Sequence, residues 1–264
     1  MVSIPVKWAR RISEQLKRYQ LSVKRLKDQD ANEADTVILV VNILSDLFGY
    51  DKRDNLTTEY AVRGRFVDIA LVEDRKPFAF IEVKAVGTDL KEQHLRQVVD
   101  YAANHGVEWV ILTNSNIWQV YKVIFGQPIE SELVESFELL ALNPRSKEDV
   151  ARLYALSIDG FKRGVLKDQH KQKQIVNRFV IGGILRMPPA LQLVRKELRK
   201  LDPTLKITEQ DILQVLEKEV LKRELLEDPQ AKVAQKVLQR LQRKKQRPNK
   251  AKQAVVQSDT DSEG

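Results

Sequence analysis

Two short runs of this 264-residue chain bring together residue types able to hydrolyse a phosphoester. One is Arg65-Phe66-Val67-Asp68-Ile69-Ala70-Leu71. The other is Pro77-Phe78-Ala79-Phe80-Ile81-Glu82-Val83-Lys84. Their apolar, β-branched and aromatic content predicts strands over 65–72 and 77–86, joined by the polar link Glu73-Asp74-Arg75-Lys76. Side chains alternate across a strand. Phe78, Phe80, Glu82 and Lys84 therefore share one face of the second strand, and Ala79, Ile81, Val83 and Ala85 the other. In the first strand Val67, Ile69 and Leu71 make the matching apolar face, with Asp68 opposite. The hairpin converges Asp68, Glu82 and Lys84 on one side, among Phe66, Ala70, Phe78 and Phe80.

Carboxylates and an ammonium beside apolar side chains are costly unless they are paired or bound to a metal. Two close carboxylates repel one another and invite a divalent cation. Mg²⁺ takes oxygen ligands and keeps waters that serve as nucleophiles. A lysine beside such a water orients it and balances charge as the phosphorane forms. A structural ion pair between Lys84 and Glu82 or Asp68 explains the same polarity, so the three residues alone leave both readings open.

The surrounding sequence resembles the N-terminal nuclease domain of the type I restriction enzyme R subunit, a branch of the PD-(D/E)xK superfamily. The resemblance runs over about 30–125. It rests on Leu56-Thr57-Thr58-Glu59-Tyr60, the two runs above, Gln97-Val98-Val99-Asp100-Tyr101, Trp109-Val110-Ile111-Leu112-Thr113-Asn114 and Trp118-Gln119-Val120-Tyr121, in that order. Val67 stands where the motif nominally has proline. The resemblance implies an α/β (α+β) fold of restriction-endonuclease type, a mixed central sheet flanked by helices. It implies Asp68 and Glu82 as Mg²⁺ ligands, the Val83 carbonyl as a third, and Lys84 beside the attacking water. Mn²⁺ would substitute for Mg²⁺. Gln97 and Tyr101, one helical turn apart, would steady DNA or the catalytic shell. Glu33, at the start of the first core helix, is a further metal candidate, with helix capping as its competing role. Glu59 is an outside candidate that would otherwise face solvent or pair with Arg63 or Arg65. His94, one turn before Gln97, either meets substrate or lies on the surface. No paired-histidine zinc motif occurs.

Four regions position these residues. Residues 1–30 carry a helix whose stripe is Trp8, Ile12, Leu16, Tyr19 and Val23. Residues 31–142 form the nuclease-like domain. It opens with a helix from Glu33 to Phe48, capped by Asp30 and stopped by Gly49. An antiparallel meander over 57–63, 65–72 and 77–86 follows. Then come a helix over about 89–104 capped by Thr88 and stopped by Gly106, strands at 107–113 and 117–124, and a run at 131–142 open between strand and helix. Residues 146–228 read as helical, with Pro188 in a first turn and Thr208 capping a helix over 209–226. Residues 229–264 combine a basic segment with an acidic tail. Nine Lys/Arg and no acidic residue fall within 231–252.

The net charge of +8 favours a polyanion, and DNA is the expected partner. There is no cysteine, which excludes disulfides, thiolate nucleophiles and cysteine-bound zinc. No apolar run is long enough to span a membrane and no secretory signal opens the chain, so a cytoplasmic protein is expected. No Gly-x-x-x-x-Gly-Lys-Ser/Thr occurs, so no ATP site is expected and the nuclease-like domain should stand without a helicase motor. Targeting then falls to the helical region, to a protein partner or to substrate structure. The expected activity is a Mg²⁺-dependent endonuclease or nickase in restriction, defence or repair. The alternative is a non-catalytic module of the same fold that binds nucleic acid or protein. The oligomeric state is open.

Overall fold

A computed structural model describes residues 3–62 and 65–228 and, beyond these, 230–232, 234 and 238. Most of the basic segment and all of the acidic tail lie outside the described residues. The chain divides into two compact units, 1–171 and 172–264. The first continues past the expected domain end at 142 and includes the N-terminal helix. No helix among the described residues is long and apolar enough to cross a membrane.

The first unit is a mixed α/β assembly. Helices α1 (Val6–Asp28) and α2 (Glu33–Asp46) precede strands β1 (Leu56–Val62), β2 (Arg65–Glu73) and β3 (Lys76–Val83). Then follow α3 (Glu92–His105), β4 (Trp109–Thr113), β5 (Ile117–Ile124) and β6 (Glu130–Glu138). Helices α4 (Lys147–Leu156) and α5 (Ile158–Lys162) complete its core. The six strands form one sheet in the order β1-β2-β3-β4-β5-β6. All neighbours are antiparallel except β3 and β4, which run parallel because α3 is the crossover between them. The ambiguous run at 131–142 resolves into β6 and a 3₁₀ turn, Leu139–Ala141.

One apolar cluster lies on the α1, α2 and α4 side of the sheet and includes Ile69, Leu71, Ala79, Ile81 and Val83. Helix α1 buries Trp8, Ile12, Leu16, Tyr19 and Val23 in it, the stripe its spacing predicts. A second cluster, including Ala70, Phe80, Val98, Tyr101 and Val110, lies under α3. Gly49 closes α2 and Gly106 closes α3, each at positive φ (78° and 67°).

Several expectations need correction. Asn32, not Asp30, caps α2, its Oδ1 accepting from the Asp35 amide at 2.9 Å. Asp30 is instead in a left-handed turn (φ 48°) and so is not the cap residue. Helix α3 begins at Glu92, after Lys91, so Thr88 is not its cap. Val67 does not share a face with Ile69 and Leu71, but packs in the α3-side cluster. The cause lies on β1, where Thr58 pairs with Ile69 and Tyr60 with Val67. Between them Glu59 is left-handed (φ 50°) and the Glu59–Asp68 pair is missing from the ladder, and the two-residue alternation breaks there, with Tyr60 and Val67 on the α3 side. A register shift at Leu71/Val72 likewise sends Phe78 against the α1/α2-side cluster, beside Tyr50 and Phe161. Phe66 is 61% exposed and belongs to neither apolar cluster.

The second unit is helical. After α6 (Val165–Ile175) come α7 (Arg178–Leu185), α8 (Pro188–Leu201) and α9 (Glu209–Val215). Pro188 occupies the first turn of α8, and Thr208 caps α9 through reciprocal bonds with Asp211. The helix expected over 209–226 breaks early. It passes into a π turn at Leu216–Val220, where the Leu221 amide reaches back to the Leu216 carbonyl, and resumes as α10 (Glu224–Glu227). Phe179 and Val180 pack with Ala234 and Leu238 as this unit's own core.

Candidate active site

The geometry of the site follows from where the strands part. The β2–β3 ladder runs to Ile69↔Ile81. One step further along the same register, Asp68 stands across from Glu82. There the side chain of Asp68 replaces a ladder carbonyl, its Oδ2 accepting from the Val83 amide at 2.7 Å. The N–H and C=O of an extended residue point to the same side, so the Val83 carbonyl falls on the β2 side, away from β4. On the other flank the Lys84 amide donates to the Thr113 carbonyl at 2.9 Å and extends the parallel β3–β4 pairing by one residue. The group therefore sits at the carboxyl end of a parallel pair, where open α/β sheets bind ligands.

Glu82 is 2% exposed, and Asp68 is half-buried. The Lys84 ammonium lies 2.8 Å from Glu82 Oε1 and 3.5 Å from Glu33 Oε1. Glu33 is the first residue of α2, and the Asn32 cap fixes it there. Thus four of the expected site residues, Asp68, Glu82, Lys84 and Glu33, form one cluster, with Val83 as its backbone member.

Burial raises the pKa of Asp68. The Val83 amide and the Lys84 charge oppose that rise, and the charges of Glu33 and Glu59 add to it. Burial also raises Glu82, against the hydrogen bond and charge of Lys84, and Asp68 and Glu33 raise it further. For Lys84, burial favours the neutral amine. The hydrogen bond to Glu82 and the charges of Glu82, Glu33 and Asp68 outweigh burial, so its pKa is raised and it stays an ammonium.

The cluster thus holds more carboxylate than its single ammonium neutralises, in a partly dry setting. That surplus fits a hard divalent cation. Among the described residues no three His, Cys, Asp or Glu side chains are arranged to enclose an ion. Two carboxylates, a carbonyl and water are nevertheless a donor set that suits Mg²⁺, which keeps much of its hydration.

Gln97 and Tyr101 are not presented together. Gln97 is exposed on α3, whereas Tyr101 is buried in the α3-side cluster with Phe80. A helix face one turn long spans the edge of the packing here, which spacing alone does not reveal. His94 is partly buried in the first turn of α3. Burial and the charges of Lys84 and Lys91 lower its pKa, and Glu33 opposes them. Its Nδ1 faces the Lys91 amide at 3.3 Å. Glu59 is exposed, and its charge acts on Asp68. The left-handed turn that puts it there has no sequence signal, because glutamate rarely adopts it.

Residues 38–134 match the family model described as Type I restriction enzyme R protein N terminus. The matched stretch contains Asp68, Glu82, Val83, Lys84, Gln97 and Tyr101, and begins after Glu33. Over these residues the chain is similar to the N-terminal part of a restriction enzyme R protein. No curated protein and no solved structure matches the chain.

Proposed function

We propose that this restriction-enzyme-type module is a metal-dependent endodeoxyribonuclease, cutting or nicking DNA in restriction or repair. One observation carries the reading. Two adjacent-strand carboxylates, Asp68 and Glu82, their pKa values raised by burial, stand at the end of a parallel strand pair, with an ammonium 2.8 Å from one of them. Mg²⁺, or Mn²⁺ in its place, would supply a Lewis acid for the phosphate and an acidified water. Asp68, Glu82 and the Val83 carbonyl are the groups to hold it, with Glu33 at the rim.

Lys84 works as a cation. Its raised pKa keeps the proton on Nζ at neutral pH, so it donates to the attacking water or to phosphate oxygen and does not act as a general base. Glu33, on the other side of Nζ, fixes where that ammonium points. Gln97 is the member of its pair available to DNA, and Tyr101 supports the wall behind Phe80. Nothing in this scheme calls for ATP.

The 2.8 Å Lys84–Glu82 pair favours a second reading, a non-catalytic module in which the cluster is an ion-pair network. Supercoiled plasmid incubated with Mg²⁺, Mn²⁺ or EDTA separates the two, alongside melting with and without metal. Nicking only in the metal lanes, with a metal-dependent rise in Tm, supports the nuclease. Neither effect leaves the ion-pair network.

A further inference from the structure

An open cleft of about 500 Å³ runs between α2 and the β1–β2 hairpin. Its α2 wall is Ala34, Val37, Ile38 and Val41, with Ile38 62% exposed. The facing wall includes Thr58, Glu59 and Asp68, and Asn42 and Lys52 also line the cleft. Asp68 thus belongs to two places at once, the carboxylate cluster and the floor of this cleft.

We propose that the cleft receives the base of the nucleotide adjoining the phosphate at Asp68, taken out of its stack. The proposal rests on the nuclease reading for the position of that phosphate. Continuity makes the occupant specific. A base next to a phosphate at Asp68 is one sugar away, and the cleft begins at the same side chain. Charge narrows it further. Glu59 and Asp68 repel a second phosphate, and Lys52 already donates to Asn42 Oδ1 at 2.6 Å. A neutral, planar group with an apolar face and amino or imino donors on its edge meets both walls. Val37, Ile38 and Val41 offer methyl groups to the face, and the Glu59 carboxylate and Thr58 hydroxyl accept from the edge. Enzymes that act on an unstacked nucleotide hold it between apolar side chains in this way. The substrate class is then a strand with a free or easily freed nucleotide at the cut, such as a single strand or a frayed duplex.

The test uses the full chain and a set of single-stranded oligodeoxynucleotides, each with 2-aminopurine at one position. Ca²⁺ replaces Mg²⁺ so that binding is read without cleavage, and parallel Mg²⁺ lanes read cleavage. Two variants alter the cleft, Ile38→Ala, which removes an exposed part of the wall, and Ala34→Trp, which fills it. An unchanged metal-dependent Tm shift in both shows that the carboxylates are intact. The expected result is a several-fold brightening at one position in the wild type, adjacent to the cut. Both variants should lose it and bind about tenfold more weakly, the scale of one lost base contact. Binding without brightening, or brightening that both variants retain, overturns the proposal and leaves the cleft to a protein side chain. Cleavage without brightening removes the base site alone. Brightening that the variants abolish, with no cleavage in Mg²⁺, keeps the base site and removes the nuclease.

Discussion

Lys84 and the two carboxylates make different demands on a substitution. Asp68→Ala and Glu82→Ala should lose both metal binding and cleavage, because each removes an oxygen ligand that nothing nearby replaces. Lys84→Ala should keep metal and DNA binding and lose cleavage by about 10²-fold or more, as for other donors aimed at developing charge. Titration calorimetry with Mn²⁺ beside the nicking assay checks this, and wild-type cleavage by Lys84→Ala would return the cluster to a structural role. Asp68→Asn tests the electrostatics. The folded pKa of Asp68 is raised. The folded state therefore holds its proton longer than the unfolded one, and stability falls as pH rises from the ordinary carboxylate range through that raised value. Asparagine removes the ionisation and keeps an oxygen for the Val83 amide. In EDTA at pH 8 the variant should melt above the wild type and depend less on mildly acidic pH. With Mg²⁺ the order should reverse, since only the wild type gains a ligand. A wild-type Tm above that of Asp68→Asn in EDTA would mean that the ionised carboxylate is not penalised. Asp68, Glu82 and Lys84 were legible from alternation within two strands. Glu59 and the displaced Val67 were not, because one left-handed residue breaks alternation and leaves no compositional mark.

At the scale of elements, apolar periodicity was the dependable signal. The α1 stripe and the glycine stops at Gly49 and Gly106 stand where their patterns put them, and the expected strands form, although β3 ends at Val83 and not at 86 and β4 starts at Trp109 and not at 107. Caps were less legible. Asp30, Asn32 and Thr88 are all competent cap residues, and only backbone conformation decides which is used. Asn32 is extended (φ −71°, ψ 178°) and its Oδ1 meets the Asp35 amide. Helix α3 starts four residues after Thr88, and the carbonyl of Thr88 instead accepts from Asn114 Nδ2 at 3.0 Å. Asn32→Ala should accordingly cost about 1 kcal/mol, and Thr88→Ala should stay within about 0.5 kcal/mol of the wild type. Asn32→Ala carries a second consequence. The cap sets the first residue of α2, Glu33, against Lys84, so the variant should also slow nicking modestly under conditions where it is fully folded. Urea unfolding of the two variants, with nicking measured well below the transition, checks both statements. Equal losses for the two would mean that α3 draws on Thr88 after all.

Across the whole molecule, charge is divided along the chain. Residues 1–171 carry 25 Lys/Arg and 25 Asp/Glu, and residues 172–264 carry 20 and 12, so the net +8 belongs entirely to the second unit. Within it, 172–201 holds seven basic residues and one acidic, and 231–252 holds nine and none. A neutral unit with a carboxylate-rich centre has little long-range attraction for DNA. The phosphate contacts, and the salt dependence they bring, should therefore come from 172–264. Removing the whole of 231–264 is a poor test, because Ala234 and Leu238 pack against Phe179 and Val180. Truncation after Leu238 spares that core and still removes seven basic residues. The 1–238 chain should bind DNA more weakly than the full chain at low salt, with a shallower fall of log K against log salt. The 1–171 fragment should bind more weakly again, with a nearly flat dependence, while keeping its metal-dependent Tm shift. Each lost phosphate contact on duplex DNA should reduce the slope by about 0.9. Filter binding or anisotropy over a salt series measures all three chains. A 1–171 fragment that binds with the full chain's slope would place the DNA contacts on the neutral unit and make the charge of the second unit a matter of solubility.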